Sequence, residues 1–186
     1  MSKDLSRDVD ILVAMAEEME EYLRSDVLFW RIMNASTPRL TLGGYLLRQH
    51  RLLALEHLLS EEDKGRMETA VIQYNQALVE KIVRLEQKAH TELEARLRLW
   101  GESLRDVGRG SGINYETAVE VRAMIEVIMM QLLIRPYQLN DRITQQVALL
   151  DGNLRRRFTK GDFVWEEAWQ SAYPQTQFWW LYGQPR

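Results

Sequence analysis

Apolar and small residues recur at Met67, Val71, Tyr74, Leu78, Ile82, Leu85, Ala89, Leu93, Leu97, Trp100, Leu104 and Val107, in steps of three and four. Their mean step is about 3.6, the period of a straight helix rather than of a left-handed coiled coil. Ser60, followed by Glu61, Glu62 and Asp63, reads as an N-cap with acids against the free amides of a first turn. Residues 60 to about 107 are therefore expected to form one very long helix, roughly 70 Å if unbroken. No proline interrupts it, and Gly101 is the expected place for a kink or early end.

The same rhythm appears on either side. Leu5, Val9, Leu12, Ala16, Met19 and Leu23 predict a helix from about Asp4 to Arg24. Val27 and Trp30 extend the pattern toward Met33, with Ser25-Asp26 as the weak point. Asn34 to Pro38 is punctuation, and a second helix follows from about Thr41 to Leu59, apolar over most of its circumference. Gly43-Gly44 in its first turn costs about 1 kcal/mol each relative to alanine, which points to a close backbone crossing. Leu59 meets the Ser60 cap directly, so these two helices are expected to form an antiparallel hairpin.

Gly108-Arg109-Gly110-Ser111-Gly112 separates the chain into halves and reads as a hinge, since it has neither dinucleotide nor phosphate-loop spacing. Asn114 caps a helix from about Tyr115 to Ile134, apolar almost all round from Ala123 onward and ended by Arg135-Pro136. Another runs from about Tyr137 to Phe158, passing through Asp151-Gly152. Gly161 and Asp162 read as a stop and a cap for a short helix from Phe163 to about Tyr173, ended by Pro174. No segment shows strand alternation. The expected fold is all-α: an irregular antiparallel bundle of five to six helices organised around the long one. It would be a single domain over residues 1–186, with two lobes, 1–107 and 113–186, hinged at 108–112.

Composition narrows the function. A net charge of −3 encodes no general attraction to nucleic acid or anionic membrane. The absence of cysteine excludes disulfides, zinc–thiolate sites and thiol nucleophiles, and it fits a cytoplasmic location. The polar start is unlike a signal peptide, and the apolar run from Ile125 to Ile134 is too short for a membrane span.

Candidate chemistry is sparse. His50 and His57 share a helix face, and His90 lies between Glu86 and Glu94 on the next helix, so His50, His57, His90 and Glu86 are the candidate metal ligands. The Glu-x-x-His signature of di-iron bundles is absent, and salt-bridged boundary histidines are the simpler account. Glu126, inside the most apolar helix, needs a partner, and Arg122 is one turn away. Arg155-Arg156-Arg157 and Lys160, followed by Phe163, Trp165 and Trp169, mix cations with aromatics as single-strand binders do, but in an acidic protein with Asp162, Glu166 and Glu167 beside them. Glu80–Arg84, Glu92–Arg96 and Glu94–Arg98 have the favourable four-residue spacing and read as a wet surface. The far end of the long seam and the aromatic tail, Leu97, Trp100, Leu104, Phe178, Trp179, Trp180 and Tyr182, form the expected interaction surface. Together these features predict a non-enzymatic interaction or scaffold protein without cofactor or metal. It would associate with itself as a homodimer and with an unidentified protein partner. The alternative is a metal-dependent or small-ligand-binding helical enzyme using the histidines and glutamates named above.

Overall fold

The computed structural model describes residues 2–33, 37–107 and 114–186. In chain order these form α1 (Ser2–Arg24), α2 (Leu42–Ala54), α3 (Glu61–Glu80), α4 (Ile82–Val107), α5 (Tyr115–Leu132) and α6 (Asp141–Arg155), then a two-stranded antiparallel sheet of β1 (Phe158–Phe163) and β2 (Tyr182–Pro185). The fold is all-α apart from that small sheet. The expected hinge at 108–112 lies outside the described residues, as does most of the punctuation at Asn34 to Pro38. Residues from both sides of the glycine-rich segment share one hydrophobic cluster, from Leu5 to Tyr182.

A long helix is present in α4, but the stretch from 60 to 107 is two helices. The break falls at Lys81, whose φ of −129° and ψ of 33° leave the helical region. Its N–H turns back to the Leu78 carbonyl, and its own carbonyl accepts from Leu85 as the next helix begins. Neither glycine nor proline causes this. The partner changes: α3 lies along α1, whereas α4 packs mainly on α5 and α6. The Lys88 ammonium already bonds the carbonyls of Ser25 and Val27, just beyond the end of α1. Gly101, the expected kink, is buried inside α4 and faces Leu150 of α6.

Three further expectations are corrected. α1 stops at Arg24, and the chain beyond it bends and pairs Trp30 with Leu40 in an isolated antiparallel bridge. α2 does not form a hairpin with α3; it packs chiefly against α5 and α1. Phe158 to Phe163, read as a helix end followed by a stop and cap, is a strand, and the short helix after it is a 3₁₀ turn at Glu167–Ala172. Gly183 in β2 has a φ of +139°, and a Cβ there would lie 2.1 Å from the Thr159 carbonyl. Only glycine fits that crossing. The caps at Ser60 and Asn114 and the continuation of α6 through Gly152 are as the sequence predicts.

Candidate functional site

The candidate metal residues are dispersed. His50 on α2 bonds through Nε2 to the Ala172 carbonyl at 2.7 Å and packs against the rings of both Tyr173 and Phe178, which also touch each other. Burial pushes its pKa down, against the smaller opposing effect of that hydrogen bond. His57 lies in a 3₁₀ turn, Glu56–Leu58, at the far end of α2. His90 joins the Glu86 carbonyl through Nδ1 and accepts the Asn140 amide at Nε2, while the Glu86 carboxylate accepts the Gln138 amide. Glu86 and His90 therefore brace the loop into α6, and the structure does not bring them to His50 or His57.

The cluster the sequence did not reveal is on α4. Glu92 and Arg96 are expected on a wet face, yet Glu92 is 0% exposed and Arg96 is buried beside it, with Arg96 Nε 2.6 Å from Glu92 Oε1. The Glu92 carboxylate accepts the amides of Leu42 and Gly43 at 2.8 and 2.9 Å, at the first turn of α2, where an anion meets the positive end of the helix dipole. Arg96 also donates to Thr41 Oγ1, the side chain that caps α2. A Cβ on Gly43 would stand 2.7 Å from Glu92 Oε1, so the glycine that weakens the helix is what admits the carboxylate. One turn before Glu92, Lys88 holds the carbonyls that follow α1 and lies over the Tyr22 ring at 4.0 Å. Burial lowers its pKa. A ladder of Lys88, Glu92 and Arg96 thus fixes both ends of the segment between α1 and α2.

Other polar clusters have similar structural duties. Glu126 pairs with Arg122 at 3.0 Å, as its spacing predicts. Arg122 also grips Asp151 of α6 through two bonds of 2.9 Å and lies 3.7 Å from the centre of the Trp180 ring. Asp8 of α1 meets Arg51 and Arg48 of α2, and Arg51 reaches the Tyr173 hydroxyl and covers the Trp169 ring. An open cleft beside this group, lined by Arg7, Asp8, Arg48, Glu166 and Trp169, carries charges of both signs. The basic run is engaged from within: Arg155 lies over Trp179, Arg156 bonds Asn153, and Arg157 bonds the Leu104 carbonyl.

The expected interaction residues are mostly covered by the chain itself. Leu97, Trp100, Leu104, Phe178, Trp180 and Tyr182 are buried, and Trp179 is half-buried against Phe158. The Tyr115 hydroxyl bonds the Trp180 carbonyl, locking the tail onto α5. The helices after residue 114 therefore supply the cover that a second copy was expected to give.

Exposed apolar side chains lie elsewhere. Around the α3–α4 break, Val79 is 76% and Val83 68% exposed, with Ile72 and Ile82 also open. Where α5 ends, Leu133 is 71% and Ile134 59% exposed. The Tyr74–Gln131 and Glu86–Gln138 bonds tie these two segments side by side. Val27, Phe29 and Met33 face outward in the segment after α1, and Leu53, Leu58, Leu99 and Leu149 are exposed singly on other helices and turns. The chain matches no family model, no curated protein and no solved structure. Among the described residues, no helix is long and apolar enough to cross a membrane.

Proposed function

We propose that this chain is a non-enzymatic interaction or scaffold protein that associates with itself as a two-fold dimer. The observation that carries this reading is the group of exposed aliphatic side chains where the α3–α4 break meets the end of α5: Val79, Ile82, Val83, Leu133 and Ile134. Single exposed apolar residues are ordinary, but a group on two tethered segments is the usual mark of a protein contact. Its rim carries both signs. Glu80 and Lys81 sit at the break, and Arg135, exposed and without an ionic partner among the described residues, follows Ile134. Charges of both signs on the rim are suited to facing a second copy, because a two-fold axis can set each against its opposite.

The charged clusters support the non-enzymatic reading in a positive way. Glu92 holds a helix start, Arg122 ties α5 to α6 and the tail, and Asp8 ties α1 to α2. Each is occupied in keeping the bundle together. A cytoplasmic location is proposed on the cysteine-free composition alone. The same composition makes the contact easy to map. Val79→Cys and Val83→Cys each introduce the chain's single thiol, and a short bis-maleimide should then yield a covalent dimer. Glu62→Cys, roughly 25 Å away along α3, should not. No dimer from either junction position would contradict the reading.

A further inference from the structure

The segment between α1 and α2 carries an unbalanced charge. No acidic residue occurs between Asp26 and Glu56, although the whole chain is acidic. Within this stretch Trp30 and Leu40 exchange both backbone hydrogen bonds, at 3.0 and 2.9 Å. The residues next to this bridged pair are Arg31 and Arg39, one on each side of the chain reversal. Both are exposed, and neither has an acidic partner among the described residues. A frame of hydrogen bonds anchors the segment that carries them. The frame consists of the Trp30 indole donating to Glu18, the Tyr22 hydroxyl donating to the Leu28 carbonyl, and the Lys88–Glu92 ladder at the two ends. Of the acids around this segment, Glu18 accepts the Trp30 indole and Asp26 pairs with Arg84, while Asp4, Asp8 and Glu166 line the cleft that Thr37 and Pro38 border. Beside the arginines, exposure alternates from residue 27 to 33, with Leu28, Trp30 and Ile32 inward and Val27, Phe29, Arg31 and Met33 outward. Met33 is 94% exposed.

We propose that Arg31 and Arg39, with Phe29 and Met33, form a docking surface for an acidic segment of another protein that also carries an apolar side chain. The two planar guanidinium groups match carboxylates, each able to take one in a forked pair. Phe29 and Met33 supply apolar contact, and methionine adapts to side chains of varied shape. A peptide suits this surface better than a nucleic acid. Two arginines are too few for a phosphate backbone on a protein of net charge −3, and an apolar flank gives nothing to a phosphate. The inference rests on the reading of the chain as an interaction protein but uses a different surface from the dimer contact.

The test is selection of a random phage-displayed peptide library on the immobilised full-length protein, followed by fluorescence anisotropy with the enriched peptides. Enriched sequences should combine several Asp or Glu with a large apolar residue. Arg31→Glu with Arg39→Glu should weaken their binding roughly tenfold or more, the scale of losing two charge contacts and gaining repulsion. Raised salt should weaken the wild-type complex in the same direction. Val79→Asp, which addresses the dimer face, should leave peptide binding intact, so the two readings can fail separately. The proposal is overturned if no peptide is enriched, if the enriched peptides lack acidic residues, or if they bind the charge-reversed protein equally well. It is also overturned if a labelled single-stranded oligonucleotide binds through the same arginines and displaces the peptides.

Discussion

Gly43 and Gly65 both sit inside helices, yet alanine at the two positions should act in opposite directions. At Gly43 a Cβ meets Glu92 Oε1 at 2.7 Å and both Arg96 Nε and Met124 Cβ at 3.0 Å, inside a filled core. Gly43→Ala should lose about 1–3 kcal/mol to overpacking, more than the helix propensity it gains. At Gly65 nothing lies within 4 Å, and Gly65→Ala should gain about 0.5–1 kcal/mol. Urea midpoints of the two variants should move apart around the wild-type value; movement in the same direction would contradict the packing at Glu92. His50 gives a residue-scale prediction in pH. Its folded pKa lies below the ordinary histidine value, chiefly through burial, so the unfolded chain binds more protons between the two values. The stability it contributes is full above about pH 6.5 and is lost as pH falls through the folded value. His50→Gln should remove that part of the acid-side decline in Tm, and parallel pH profiles for wild type and variant would rule it out. Sequence spacing found the Glu126–Arg122 pair but placed Glu92–Arg96 on the surface. Both pairs are four apart on a helix, and spacing cannot tell which arc a third helix will cover. The one available hint was Gly43-Gly44, an expensive pair in a helix start that needed something close by.

At the scale of elements, amphipathic periodicity located the helical stretches because each buries a continuous stripe, but it joined α3 and α4 into one. It failed where a tertiary partner changes without a change of phase. From Met67 to Val107 the apolar rhythm is unbroken, yet the chain leaves α1 for α5 at Lys81, and the turn there is imposed by packing rather than by a local breaker. The continuation through Val27 and Trp30 failed for a related reason. Lys88, distant in sequence, captures the carbonyls of Ser25 and Val27 and gives the chain an exit from α1. β1 and β2 were unreadable because each is short, their pairing is irregular between Lys160 and Phe163, and they lie some twenty residues apart, so the sheet exists only through tertiary contact. Lys88 offers the element-scale test. Lys88→Met keeps much of the bulk over Tyr22 but removes both hydrogen bonds to the end of α1, and hydrogen bonds from charged groups are worth about 1.5–3 kcal/mol. The Trp30 and Leu40 amides, which depend on that anchor for their bridge, should then exchange with solvent faster. Amides in the middle of α3 should not change. Unaltered exchange at Trp30 would show that the Trp30–Leu40 bridge holds without its anchor.

For the whole molecule, the sequence-based case for a dimer and the structural case rest on different surfaces. The seam from Leu97 to Leu104 and the aromatic tail are apolar enough to suggest an uncovered face, but α5, α6 and the tail itself cover them. No periodicity argument could foresee that, since it depends on how the chain returns after residue 113. What the bundle leaves open is the α3–α4 junction beside the end of α5, where Val79, Val83, Leu133 and Ile134 have no neighbours to bury them. Self-association through this junction is the claim on which the functional reading stands. It is tested most directly by the mass of the protein in solution, measured by light scattering at micromolar concentration for wild type and for Val79→Asp. The account predicts twice the 21.9 kDa chain mass for wild type and the chain mass alone for Val79→Asp with its helical signal intact. A monomeric wild type, or a dimer that Val79→Asp leaves undisturbed, would contradict it.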